Sequence, residues 1–216
     1  MNTDYARLQM VNQQVRGWNV YDESVLEMLK SLPREDFVPA GYESLAFADL
    51  AIPIGHGETM MTPTIEGRLL QALGLEGNEH VLEVGTGSGF MTACLAKLAD
   101  RVTSIDIHAD FVDSAGQKLD DAGIDNVEVI RMDATQELPD TGFDAIAVTG
   151  SIQTFDPRFV EALNDAGRLF IVVGDAPAME ARLIERTGDH HWHTISLFET
   201  DLQPLVHGAL PPQFTF

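Results

Sequence analysis

Basic residues are scarce in this sequence. Lysine occurs only as Lys30, Lys97 and Lys118, and lysine and arginine together number 13 against 34 acidic residues. The formal net charge of -21 removes the broad basic surface that nucleic acid or an anionic membrane would require, so neither is an expected partner. An acid-rich, lysine-poor surface suits high salt, where self-repulsion is screened. Cysteine occurs once, as Cys94, which excludes an internal disulfide and fits a reducing compartment. Apolar runs such as the one around Phe170 to Val173 fall far short of the ~20 residues that a membrane-spanning helix needs. The polar start at Asn2, Thr3 and Asp4 lacks the basic and apolar regions of a secretory signal, so the cytoplasm is the expected location. No repeat, low-complexity tract or Gly/Ser linker divides the chain. One domain is expected, with a front segment over residues 1–76 and a core over residues 77–216.

What is present alternates. From Tyr5 to Trp18, Leu8, Val11 and Val15 recur at helical spacing, and Val25, Leu26, Leu29 and Leu32 do so again after a cap at Asp22. The stretch from Pro33 to Pro63 is rich in proline and glycine and predicts an ordered loop laid over another part of the molecule. After a helix near Thr64 to Leu73, β-rich runs occur at His80–Val84, Val102–Ile105, Val127–Ile130, Ala145–Val148 and Leu169–Val173. Helical stretches at Met91–Leu98, Asp110–Ala122 and Arg158–Leu163 separate them. This spacing predicts an α/β fold, a doubly wound and mostly parallel sheet covered on both faces. Thr194–Leu197 and Gln213–Phe216 predict a β-rich end to the same sheet.

The chemistry concentrates where the strand Val81-Leu82-Glu83-Val84 runs into Gly85-Thr86-Gly87-Ser88-Gly89-Phe90. A glycine turn at the carboxyl end of the first core strand lets the backbone approach a nucleotide closely. Asp106, followed by Ile107, closes the next strand about 20 residues later, the separation at which an acid receives ribose hydroxyls. The dinucleotide fingerprint G-x-G-x-x-G would put its third glycine where Phe90 stands, which disfavours NAD and FAD. The observed Glu83-x-Gly85-x-Gly87-x-Gly89 instead resembles motif I of class I S-adenosylmethionine methyltransferases. That resemblance implies Glu83 as a direct or water-mediated partner of the methionine ammonium group. It also implies Asp133 and Ala134, after the third core strand, at the adenine.

Two front stretches narrow the likeness: Leu32-Pro33-Arg34-Glu35-Asp36-Phe37-Val38-Pro39, and Ile52-Pro53-Ile54-Gly55-His56-Gly57-Glu58-Thr59-Met60-Met61-Thr62-Pro63. With the glycine turn, Asp106, Asp133 and the Phe143–Thr149 strand they resemble the protein-L-isoaspartate O-methyltransferases from about Gln9 to about Gly174. The resemblance implies methyl transfer from S-adenosylmethionine to the free carboxyl of L-isoaspartyl residues in damaged proteins, releasing S-adenosylhomocysteine. It implies that Glu58, Thr59, Met60 and Met61 border the cofactor together with Glu83, Gly85, Thr86, Gly87, Ser88, Gly89, Asp106, Ile107, Asp133 and Ala134. On the acceptor side it implies Thr59, Met61 and Thr62. The sequence departs from the family pattern at Met61, where the family carries a serine, and Thr62 is the neighbouring hydroxyl that could replace it. Arg34 or Arg68 is the candidate to offset the acidity locally for an anionic acceptor. Two alternatives stay open: a methyltransferase of this lineage with another acceptor, and a non-catalytic S-adenosylmethionine-binding protein.

Other signals read as structural. His190-His191-Trp192-His193 has no Cys, Asp or Glu cluster at ligand spacing beside it, and predicts a solvated turn with no metal. Cys94, beside Ala93, Leu95 and Ala96, predicts a buried and inert thiol. Ser151 lacks the G-x-S-x-G elbow and is expected to line the pocket beyond the fourth core strand.

Overall fold

A computed structural model describes residues 3–139 and 142–208. The chain opens with α1 (Thr3–Gln9), which runs on through a π-helical stretch at Met10–Val15 and a 3-10 turn at Arg16–Trp18. The wider π turn changes which residues share a face. Met10, Val11 and Val15 are buried, whereas Leu8, expected on the buried stripe, is 42% exposed. Helix α2 (Glu23–Ser31) starts at the expected cap, where the Asp22 carboxylate accepts from the amides of Ser24 and Val25. The proline-rich stretch is ordered, as expected, and contains a hairpin, β1 (Ile52–Gly55) with β2 (Glu58–Met60). Helix α3 (Pro63–Leu73) follows, with Thr62 as its N-cap and Pro63 in its first turn.

The core then runs β3 (His80–Val84), α4 (Phe90–Leu98), β4 (Arg101–Asp106), α5 (Ala109–Asp121), β5 (Val127–Arg131), β6 (Phe143–Ile152), α6 (Arg158–Glu161), β7 (Leu163–Asp175), β8 (Ala178–Gly188) and β9 (His191–Thr200). These seven strands form one sheet in the order β5-β4-β3-β6-β7-β8-β9. The first five pair in parallel, and β8 and β9 add antiparallel. Winding reverses between β3 and β6, which opens a crevice at their carboxyl ends. Alternation along each strand buries both faces. Val81, Ala145, Phe170 and Val172 pack with the helices of the front segment, α4 and α5, while Leu82, Ile146, Leu169 and Ile171 pack with Phe159 and Val160 of α6.

Two expectations change. Leu163, assigned to a helix, begins β7 opposite Phe143, and α6 ends at Glu161. Strand β8 had no counterpart, because Ala-Met-Glu-Ala-Arg-Leu is a run of helix formers and pairing with β7 overrides that propensity. Thr194–Leu197 lies in β9 at the sheet edge, as expected, whereas Gln213–Phe216 falls outside the described residues. No helix among the described residues is long and apolar enough to cross a membrane.

Candidate active site

An open cleft, about 690 Å³ with its open solvent included, lies at the carboxyl ends of β3, β4 and β6, where a sheet of this kind binds ligands. The β1–β2 hairpin contributes Ile54, Glu58 and Thr59 to it, and the glycine turn contributes Gly85 and Gly87. Asp106, Ile107 and His108 come from the end of β4, and Asp133 and Ala134 from beyond β5. A smaller recess adjoins it, walled by Thr59, Met60, Met61, Thr86, Ser88 and Met91. Ile54, Thr59, Gly85, Gly87 and Thr149 line both.

The turn can take its shape only with glycine at its first position. Gly85 has φ +101°, and a Cβ there would stand 2.4 Å from Thr149 Oγ1, whose hydroxyl donates to the carbonyls of Val84 and Gly85. Asp106 is buried, and its carboxylate accepts from the Gly87 amide at 2.9 Å and from the His108 amide at 2.9 Å. An ionised carboxylate has about four acceptor sites, so Asp106 retains capacity toward the cleft. Asp133 accepts from the Thr135 amide and hydroxyl on one oxygen, and His207 Nδ1 pairs with the other at 2.9 Å. Burial raises the Asp133 carboxyl, but the hydrogen bonds from His207 and Thr135 outweigh it and hold the group below the usual range. Burial also lifts the Glu58 carboxyl above its ordinary value, opposed by the charge of His108.

Beneath the recess, Arg34 is fully buried and every arm of its guanidinium is engaged. Nε donates to Ala46 O at 2.8 Å, Nη1 to both oxygens of Glu66 at 2.6 and 2.8 Å, and Nη2 to Met61 O at 2.9 Å. The group also lies 4.8 Å from the centre of the Phe90 ring. Lys118 Nζ donates to Phe37 O at 2.8 Å and Ser88 O at 3.4 Å, joining the front signature to the glycine turn. On the far side, the segment from Leu202 to Val206 forms a strap along the cleft. Ser151 holds it: its hydroxyl donates to Leu202 O, its amide to Gln203 O, and its carbonyl accepts from Leu205 N.

A family model described as Protein-L-isoaspartate(D-aspartate) O-methyltransferase (PCMT) matches residues 6–209. The chain belongs to this family. Its relatives include the protein-L-isoaspartate O-methyltransferase of Methanoculleus marisnigri, 36% identical over 202 residues that cover 93% of this chain and 91% of the relative. The protein-L-isoaspartate O-methyltransferase 1 of Syntrophobacter fumaroxidans is 37% identical over 195 residues, 90% of this chain and 91% of the relative. The fold matches a crystal structure from Plasmodium falciparum, described as a putative protein-L-isoaspartate O-methyltransferase in complex with S-adenosyl-L-homocysteine, at a TM-score of 0.79. That match has 20% identity and covers 92% of this chain and 97% of the other.

Within this methyltransferase family plan, several predicted residues sit elsewhere than expected. Glu83 is fully buried and lines neither recess. Its Oε2 accepts from the hydroxyls of Thr92 and Ser104, and its Oε1 has no hydrogen-bond partner among the described residues. Burial pushes its carboxyl up to about 8. Gly89 is a helix-packing position and not a lining one: it caps α4 at φ +85°, and a Cβ there would meet Ala115 Cβ at 3.0 Å. The Thr62 hydroxyl is spent on the α3 cap, accepting from Ile65 N and lying 2.9 Å from Thr64 Oγ1. Since Thr64 Oγ1 donates to Asp49, Thr62 is the donor between the two threonines, and it lines neither recess. Arg34 is locked to Glu66, while Arg68 donates to Trp18 O and Leu197 O and lies over the Phe198 ring, so neither faces the acceptor recess. Ser151 acts on the cleft only through the strap. Thr92, Ser104, Lys118 and the strap went unpredicted, because each matters through a partner distant in sequence. Cys94 is fully buried and its thiol is pushed well up by burial, in line with the inert reading. His190 is exposed in the β8–β9 turn, but His191 and His193, also exposed, belong to strand β9, paired with Gly188 and Glu185, and not to the expected turn.

Proposed function

We propose that this protein transfers a methyl group from S-adenosylmethionine to the free carboxyl of L-isoaspartyl residues in proteins, and that it works in the cytoplasm. Family membership supports the activity. The observation that carries its placement is the continuity of the two recesses across Ile54, Thr59, Gly85, Gly87 and Thr149. One recess suits the cofactor and the other the acceptor, and they meet at the hairpin.

The residues present fit that cofactor. A ribose suits Asp106, an adenine suits Asp133 and Ala134, and Gly85 leaves the cradle open where a Cβ would collide. Ile107, Glu58 and Thr59 complete this wall, and Thr86, Ser88, Met60 and Met61 lie toward the acceptor side. The bound cofactor would supply an electrophilic methyl group on a sulfonium. An acceptor carboxylate, with a reference pKa of about 4, is already ionised at neutral pH, so no general base is needed. The chain's own part is alignment and exclusion of water. Arg34 fixes the main chain at Met61; Met60, Met61 and Met91 contribute to the wall of the smaller recess; and Thr59 lines both recesses. Family membership does not favour the different-acceptor and silent-binding alternatives. The net charge of -21 supports a protein or peptide partner over nucleic acid or membrane.

The test is incubation with labelled S-adenosylmethionine and either an isoaspartyl peptide or the same peptide with normal aspartate. Label is expected on the isoaspartyl peptide alone. No transfer to either peptide would remove the assignment.

A further inference from the structure

The tip of the β1–β2 hairpin gathers side chains at the rim of the cleft, His108 and Phe111 of its lining among them, to which methyl transfer gives no chemical step. His56 sits at φ +53° between Gly55 and Gly57, both also at positive φ, so the turn projects its imidazole toward the start of α5. His56 Nε2 lies 2.9 and 3.0 Å from the two carboxylate oxygens of Asp110. Its ring stacks on that of His108, with centroids 4.0 Å apart and planes 9° from parallel, and Phe111 meets both rings edge-on at 5.2 Å. One ring nitrogen of each histidine and one carboxylate oxygen of Asp110 all lie within 4.8 Å of one another. His108 Nε2 is buried and has no hydrogen-bond partner among the described residues.

We propose that His56, His108 and Asp110 form a binding site for a late first-row divalent cation of the Zn²⁺ class. Two imidazoles and one carboxylate are the donor set that such ions prefer, whereas Mg²⁺ and Ca²⁺ seek oxygen alone. A tetrahedral ion with bonds of about 2.0–2.2 Å needs ligand atoms roughly 3.3 Å apart. His56 and Asp110 are already near that spacing, and the contraction from within 4.8 Å toward it falls on these two, whose exposed side chains can rotate. The ion takes the place of the hydrogen bond between them and turns the His56 ring off the stack, because parallel imidazoles cannot aim their lone pairs at one point. Water fills the fourth position. Glu58, close enough to interact electrostatically with both histidines, adds negative charge beside the site.

The site has a mechanical consequence. The His108 amide donates to Asp106, so an ion on these ligands ties the hairpin to the end of β4, which carries the ribose-side acid. This fastens the hairpin across the mouth of the cleft. No metal was expected from the sequence, since His56 and His108 are 52 positions apart and no short motif joins them.

The experiment titrates the full-length, untagged, chelator-treated chain with Zn²⁺ by calorimetry, with Co²⁺ as a spectroscopic stand-in. One ion per chain is expected, with a visible Co²⁺ band of four-coordinate N/O type. His56→Ala and Asp110→Asn, both at exposed positions and checked for folding by circular dichroism, should each weaken binding at least tenfold. A His191→Ala/His193→Ala variant should bind as the wild type does. The proposal is overturned if the wild type takes up no Zn²⁺, or if His56→Ala and Asp110→Asn keep wild-type affinity, including the case in which only the His191/His193 variant loses it.

Discussion

Asp106 is held from two sides before any ligand arrives, by the amides of Gly87 and His108. A carboxylate fixed in this way loses little freedom when it receives ribose hydroxyls, and hydrogen bonds to a charged group contribute about 1.5–3 kcal/mol. Asp106→Ala should therefore weaken S-adenosylhomocysteine binding roughly 10- to 150-fold by calorimetry. Unchanged affinity would remove Asp106 from the site. Glu83 makes a different prediction, through pH. Its folded-state carboxyl titrates near 8, above its ordinary value, so the folded chain holds a proton that the unfolded chain has lost. A raised carboxyl gives stability that is full below the unfolded pKa and is lost as pH rises through the folded one. The ligand-free protein should thus lose stability from the ordinary carboxylate range up to about pH 8. Glu83→Gln, which mimics the neutral form, should flatten that slope in denaturant titrations across the same range. An identical slope in the variant would refute the linkage. Asp106 and the glycine turn were legible in the sequence because spacing along strands fixes them at one end of the sheet, and Asp133 was legible through the family resemblance. The partners of Glu83 were not, since the Thr92 and Ser104 hydroxyls arrive from α4 and β4.

Between elements, the junction that matters most is the buried pair of Arg34 and Glu66. It ties the loop at Ala46, the end of the hairpin at Met61 and helix α3 into one unit. Removing one partner of such a pair leaves a buried charge and costs about 3–5 kcal/mol. Arg34→Ala should lower the unfolding free energy by about that much. Pairing it with Glu66→Met should restore part of the loss, because no uncompensated carboxylate remains. Additive losses in the double variant, measured by urea unfolding, would contradict this account. The Arg34 signature and the loop were visible in the sequence, but which acid it met was not, for Glu66 is 32 positions away on a helix whose pattern shows only its apolar face. Strand β8 was hidden for the opposite reason. Its local composition favours a helix, and only the neighbouring strands β7 and β9 make it extended.

At the scale of the whole molecule, net charge is the dominant electrostatic feature. Arg34 is locked to Glu66 inside, and several other basic side chains, Arg7, Arg158, Arg168 and Arg182 among them, sit in ion pairs. With 34 acidic and 13 basic residues, most carboxylates have no cation to meet. The Debye length is about 30 Å in 0.01 M salt and about 3 Å in 1 M, while a chain of this size has a radius of gyration of about 17 Å. At low salt nearly every acid therefore repels every other, and at high salt only neighbours do. Surface ion pairs weaken over the same range, but each contributes only about 0–1 kcal/mol, so the net repulsion decides the sign. The melting temperature should rise by several degrees from 10 mM to 1 M NaCl and level off as screening saturates. A flat or falling series would mean that the ion pairs outweigh the excess charge. The same field acts on the acceptor, which arrives as an anion. For an acidic isoaspartyl peptide, KM should fall as salt increases, and for a peptide with basic flanking residues it should rise. If both peptides shift in the same direction, salt is acting on the protein's stability and not on the encounter.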